Sequence, residues 1–232
     1  MDVEGCMLPD DLLYHLEYDV WVRRAPGDPG TALLGLTAVL AAFAGRFVSF
    51  AFRPPEARVS AGRSVGTVES VRFTGAVRLP VDGTIVERNP ALPERPRLMN
   101  DDPYHDGWVV RFRPDDLAAL DRSLVTSTFA EPHVRERIRR EGIRCYAALP
   151  DLELYEIGAE CSAILARVDD ELARRPPNDV LLLVTDDPTS PIELVRWSDR
   201  TGHTVLEHRR DAGLHHFLLR KEAHPVPRRR GA

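Results

Sequence analysis

The sequence predicts two domains of different class, an all-β domain closed by helices and then an α+β two-layer sandwich. Residues 1 to about 116 carry seven short β-type runs broken by Gly- and Pro-containing turns, the spacing of a compact sandwich or barrel. From about residue 152 the order becomes strand, helix, strand, helix, strand, strand, a βαβαββ unit that buries two helices on one sheet. Residues 115 to 141, in between, have helical periodicity.

The β-type runs are "DVWVRR", "ALLGL", "RFVSFAF", "SVGTVES", "AVRLPV", "GTIVERN" and "GWVVRFR", separated by "PGDPG", "SAG" and "VDG". After "ALLGL", "TAVLAAFAG" predicts a short helix stopped by Gly45 at its C-terminal cap. "PDDLAALDRSL" predicts a helix capped by Asp115 or Asp116, with Leu117, Leu120 and Leu124 on one face. "EPHVRERIRREG" predicts a second, starting at Pro132 and closed by Gly142. "IRCYAALPD" reads as a linker.

In the second domain "LELYEIG" is a strand and "CSAILARVDDELARR" a helix, with Ile164, Leu165, Val168 and Leu172 as its buried stripe. The all-apolar "VLLLV" predicts a central strand. Helix "PIELVRWSDRTG" and strands "HTVLEHRR" and "LHHFLLRK" complete the unit. The boundaries expected are 1–142, a linker over 143–151, 152–222, and a disordered basic tail over 223–232.

Composition excludes several classes of function. A formal charge of −5 offers nucleic acid no general attraction. No apolar run approaches the roughly 18 residues of a membrane helix, the nearest being Thr37–Ala44. The acidic N-terminus lacks the basic-then-apolar order of a secretory signal. A cytoplasmic location with reduced thiols is therefore expected. Cys6, Cys145 and Cys161 have no zinc-site spacing, and no metal is expected. Cys6 is expected to pack beside a strand; Cys145 could pair with Cys161 only if the linker folds back. The histidines of "HLEYD" and "HHF", and His105, are expected to face water, and Asp186-Asp187-Pro188 to end a strand and cap a helix.

Ordered motifs over residues 1–141 resemble the H protein of the glycine cleavage system, a lipoyl carrier. They are "LPDDLLYHLEYDVWVR", the Gly-x-Thr, helix and Gly of "LGLTAVLAAFAGRFVSFAF", the hairpin of "GTVESVRFTGAVRLPVDGTIVERNPAL", and "LMNDDPYHDGWVVRFRPDDL". The resemblance implies a lipoyl/biotinyl-carrier-like fold, a barrel-sandwich hybrid. It also implies an acylated lysine at the hairpin tip, two residues after the Ser of "ESV" and eight before Pro80. Arg72 occupies that position. A guanidinium is permanently cationic with delocalised lone pairs, so it forms no lipoyl amide. No lysine stands nearby, because the chain's only lysine is Lys221. No lipoate is expected. Arg72 then reads either as a solvated turn residue or as an anchor for an anion or an acidic partner. Phe73 is expected to be exposed beside it.

The second domain is similar to the TusA/SirA-like sulfur-carrier family. "GAECSAI" stands where that family has Gly-x-x-Cys-Pro-x-Pro, and "VLLLVTDDP", "WSDRTGH" and "HHFLLRK" match its later segments. The resemblance implies a catalytic Cys161 that holds a transient persulfide, with sulfur donor and acceptor proteins as partners. A cysteine at the start of a helix faces unpaired amides that lower a thiol pKa. Ser162 and Ile164 replace both prolines of the motif, and Glu160 opposes the thiolate.

The reading these features favour is a sulfur carrier with a non-lipoylated docking domain, a carrier-type sulfurtransferase if it is an enzyme at all. The alternative is a pseudo-carrier acting as an interaction scaffold in sulfur or lipoate metabolism, with lipoate-metabolism proteins among its partners.

Overall fold

The structure is a computed structural model that describes residues 1–25, 27–54 and 58–226. It divides into two compact units, Met1–Cys145 and Tyr146–Ala232. The first unit opens with β1 (Asp2–Val3), β2 (Cys6–Met7), β3 (Leu13–His15), β4 (Val20–Arg24), β5 (Ala32–Leu36) and α1 (Ala38–Ala44). Next come β6 (Phe47–Phe52), β7 (Arg58–Val59), β8 (Ser64–Ser70), β9 (Thr74–Arg78), β10 (Gly83–Arg88) and α2 (Leu98–Asp101). β11 (Trp108–Pro114), α3 (Ala118–Ser123), β12 (Val125–Thr126) and α4 (Ser127–Glu141) complete it.

These strands form a seven-stranded sheet in the order β12-β3-β4-β5-β11-β10-β7 and a three-stranded sheet in the order β6-β8-β9, with β1 and β2 paired separately. The two sheets remain open and do not close on each other. Between them lies a core that includes Val22, Leu34, Phe47, Phe50, Val77, Leu79 and Phe112. The Gly-x-Thr motif has a local cause. A Cβ on Gly35 would come within 2.5 Å of the Trp21 ring, and Thr37 caps α1 by accepting from the Leu40 amide at 3.2 Å.

Several expectations need correction here. α4 begins at Ser127, placing Pro132 inside the helix rather than at its start. Leu120 of α3 and Leu124, just after it, are buried, but Leu117, just before the helix, is exposed. Cys6 and Cys145 form a disulfide across 139 residues, so they are neither reduced nor available to Cys161. The physical reason is packing: Ile138, Ile143 and Cys145 descend into the same small core as Val3, Cys6 and Leu8. Residues 143–151 are thus no free linker. Ile143 and Cys145 are buried in the first unit, while Tyr146 and Ala148 lie on the sheet of the second.

The second unit runs β13 (Leu152–Glu156), α5 (Cys161–Ala173), β14 (Val180–Thr185), α6 (Ser190–Thr201), β15 (Thr204–Asp211) and β16 (Leu214–Arg220). Its sheet order is β13-β14-β16-β15. β13 and β14 are parallel and the other neighbours antiparallel. β14 is buried along its whole length. Leu181 and Leu183 meet Ile164, Val168, Leu172, Leu194 and Trp197 of the helices, while Val180, Leu182 and Val184 face Tyr146 and Ala148. That two-sided burial explains why "VLLLV" does not alternate. Ala212 and Gly213 both have positive φ, which a two-residue hairpin turn requires.

His216 does not face water. It is buried, and its Nδ1 lies 2.9 Å from the Tyr146 hydroxyl. The tail expectation falls partly outside the described residues, at 227–232. Within them, the backbone of Pro225 and Val226 packs on Gly202, leaving no room there for a Cβ. Among the described residues no helix is long and apolar enough to cross a membrane.

Candidate functional site

Cys161 is the first residue of α5 and half-exposed. What surrounds it follows from the sheet. β13 and β14 are adjacent and parallel, so the helices that follow them start at the same edge, where open α/β sheets place ligands. The loop before α6 therefore reaches the cysteine. Thr189, rather than Asp186 or Asp187, stands at the N-cap position of α6 without a side-chain capping bond, and the Asp187 carboxylate accepts from the Thr189 amide and hydroxyl, both at 2.7 Å. The same carboxylate faces the Cys161 amide and His215, and together these contacts, Thr189 foremost, hold Asp187 below the usual carboxylate range. Asp186 accepts from the Gly158 amide at 2.8 Å, tying down the loop that leads into Cys161.

Ser190, at the start of α6, is only 1% exposed, and its Oγ has no hydrogen-bond partner within normal reach. The Ser190 hydroxyl is among the groups that favour the ionised Cys161 sulfur. The thiol is nevertheless pushed up from its ordinary pKa. Burial is the largest cause, and the negative charges of Asp187 and Glu193 add to it. The Ser190 and Thr189 hydroxyls offset part of the effect.

This corrects the expected activation. The helix-mouth amide that would favour a thiolate is engaged by Asp187, a carboxylate fixed beside the sulfur. The opposing charges are Asp187 and Glu193 rather than Glu160, and the assisting hydroxyls are those of Ser190 and Thr189. Sequence reasoning missed Ser190 and Glu193. The available signal was a second strand-to-helix junction, "VTDDPTS", following a parallel strand.

The hairpin tip lies in the other unit. Ser70 donates its amide to the Phe73 carbonyl at 2.7 Å and its hydroxyl to the Ala44 carbonyl at 2.7 Å, which pins the tip to the C-terminus of α1. Asn100 spans the same place, accepting from the Phe47 amide and donating to the Gly45 carbonyl, both at 2.9 Å. Arg72 is exposed, but its guanidinium folds back. A Cβ on Gly45 would stand 3.1 Å from its Nη2. A cation there meets the negative end of the α1 dipole. Phe73 is not exposed as expected. It is half-buried against the core and packs edge-on to Phe43 at 6.3 Å, leaving Val71, 95% exposed, as the apolar residue at the tip. Arg72 and Cys161 lie in separate units. Among the described residues no cluster of His, Cys, Asp and Glu is arranged to hold a metal.

An open β-sandwich with a pinned hairpin, followed by a βαβαββ sandwich with a cysteine at a helix mouth, defines a tandem of carrier-type domains. Residues 12–137 match the family Glycine cleavage H-protein, and residues 156–221 match Sulfurtransferase TusA. The chain belongs to the glycine cleavage H-protein family, with a TusA-like domain following. It is 35% identical over 144 residues to glycine cleavage system H protein 2 of Aquifex aeolicus, a match covering 62% of this chain and 88% of that protein. H protein 3 of the same organism is 41% identical over 123 residues, covering 53% and 75%. A crystal structure of an H protein from Mycobacterium marinum aligns with a TM-score of 0.46 at 28% identity, covering 59% of this chain and all of that one. The two family matches support a carrier or relay role.

Proposed function

We propose that the chain carries sulfane sulfur on Cys161 between a donor and an acceptor protein, and that its H-protein-like unit is a docking module without lipoate. The observation that supports this reading is a free, half-exposed Cys161 at the start of α5, with the hydroxyls of Ser190 and Thr189 favouring its ionised form. In the step envisaged, the Cys161 thiolate attacks the terminal sulfur of a donor persulfide. A new S–S bond forms at Sγ, the donor's S–S bond breaks, and the donor leaves as a thiolate that takes the proton Cys161 gave up. No net oxidation occurs. The raised thiol pKa sets a condition on this step: a donor must bring a cation to Asp187 and Glu193, which would favour the ionised sulfur. Exposed Ile157, Ile192 and Val195, on the segments leading into and out of the site, supply apolar contact area for such a partner.

Lipoate has no place in this reading, since Arg72 offers no acylatable amine. Lys221, the chain's one lysine, donates to the Arg175 carbonyl at 2.5 Å at the far end of α5.

Intact-mass measurement after exposure to a persulfide donor tests the relay. The wild-type chain should gain one sulfur atom and Cys161→Ser should gain none. A wild-type chain that stays unmodified, or a variant that is modified equally, would leave the scaffold reading. The raised thiol pKa is the observation that favours that second reading.

A further inference from the structure

Four arginines of the first unit, Arg53, Arg63, Arg78 and Arg88, line a single cleft of about 560 Å³, and among the described residues no carboxylate lines it. Strand pairing brings them together. The Arg53 amide bonds the Val65 carbonyl, the Leu79 amide bonds the Arg63 carbonyl, and Ser64 stands opposite Arg78. Three arginines thus collect at the open end of the β8–β9 hairpin, away from the tip that holds Arg72, and Arg88 joins them from β10.

Several other arginines of the unit pair with carboxylates, as in Arg24 with Asp121, Arg58 with Asp115 and Arg111 with Glu87. The four in the cleft have no such partner among the described residues. Arg78 donates to the Gly62 carbonyl at 2.7 Å, and Arg88 lies 5.3 Å over the Phe52 ring. The floor is apolar, with Val65 4% and Val110 0% exposed and Ile85 beside them. In a chain of net charge −5, four unpaired cations over an apolar floor repel one another until an anion joins them.

We propose that this cleft binds a small organic polyanion, a phosphate or diphosphate ester whose uncharged part rests on Val65, Ile85 and Val110. Guanidinium forks match phosphate oxygens two at a time, and the volume falls within the roughly 300–1,000 Å³ of small-molecule sites. The site stands independently of Cys161, which belongs to the other unit.

Calorimetric titration of the full chain with inorganic pyrophosphate and with ADP, at two salt concentrations, tests the proposal. Saturable binding is expected for both, tighter for ADP, and weaker at high salt. Arg63→Glu and Arg53→Glu, each checked for folding by circular dichroism, should weaken binding by about ten-fold or more. Arg95→Glu, outside the cleft, should not. Absence of saturable binding, or equal weakening by Arg95→Glu, would overturn the site. Equal affinity for pyrophosphate and ADP would overturn the role given to the apolar floor.

Discussion

At the mouth of α5 the sulfur of Cys161 is pulled two ways. Ser190 and Thr189 favour its ionised form, while burial and the charges of Asp187 and Glu193 oppose it with the larger combined effect. The alkylation rate of Cys161 should therefore rise with pH and inflect above that of the same cysteine in unfolded chain. Asp187→Asn removes a negative charge beside the sulfur, so the inflection should fall, by about half to one pH unit. Ser190→Ala removes a donor to the thiolate and should raise it. Rates measured across pH 6 to 10, an interval of about four units spanning ordinary thiol values, decide the matter; an unmoved or raised inflection in Asp187→Asn would refute the electrostatic account. The linkage has a matching sign. With the folded pKa raised, the group's contribution to stability is present below the unfolded pKa and is lost as pH rises through the folded one. Arg72 shows another residue-scale effect, for a turn cation folded onto a helix C-terminus is already occupied locally.

α4 illustrates what an element contributes. Its buried stripe of Ala130, Val134 and Ile138, spaced by four, seats it on the first unit, and Arg137 on the same helix pairs with Asp19 and Glu141. Asp19 has positive φ, and its carbonyl accepts from the Thr37 amide at 3.0 Å. It therefore links the β3–β4 turn to the start of α1. Burial pushes the Asp19 carboxyl up, and Arg137 offsets that rise. Arg137→Ala would strand the carboxylate, at an expected cost of about 3 kcal/mol in urea unfolding. Asp19→Asn in the same background should restore much of the loss. If the single substitution is silent, the ion pair does not hold this helix. The helical period of α4 was legible in sequence, but its start was not. "STFAEP" precedes a proline, and nothing local shows that the helix continues through Pro132.

At the scale of the whole molecule, the Cys6–Cys145 disulfide closes the first unit on itself just before the chain passes to the second. Closing a long loop restricts the unfolded chain, so reduction or Cys6→Ser should cost the first unit about 2–4 kcal/mol. The second unit should unfold as before. Calorimetry of the oxidised and reduced chain checks this, together with thiol counting on protein denatured without reductant, where Cys161 alone should react. Three reactive thiols would contradict the bond.

Sequence alone determined the order and type of most elements, because period-two runs, helical stripes and Gly or Pro stops are local signals. It also determined the absence of an amine from the hairpin tip and the place of Cys161 at a strand-to-helix junction. Only the tertiary structure decided which groups meet. Parallel pairing of β13 with β14 brought Asp187, Ser190 and Glu193 to the sulfur and turned an expected activation into an opposed one. Packing of the 143–145 segment joined two cysteines that lie 139 positions apart, and strand register gathered four arginines into one cleft. Such contacts depend on pairing between distant segments, and electrostatics and bonding act over ångströms of space rather than along the chain.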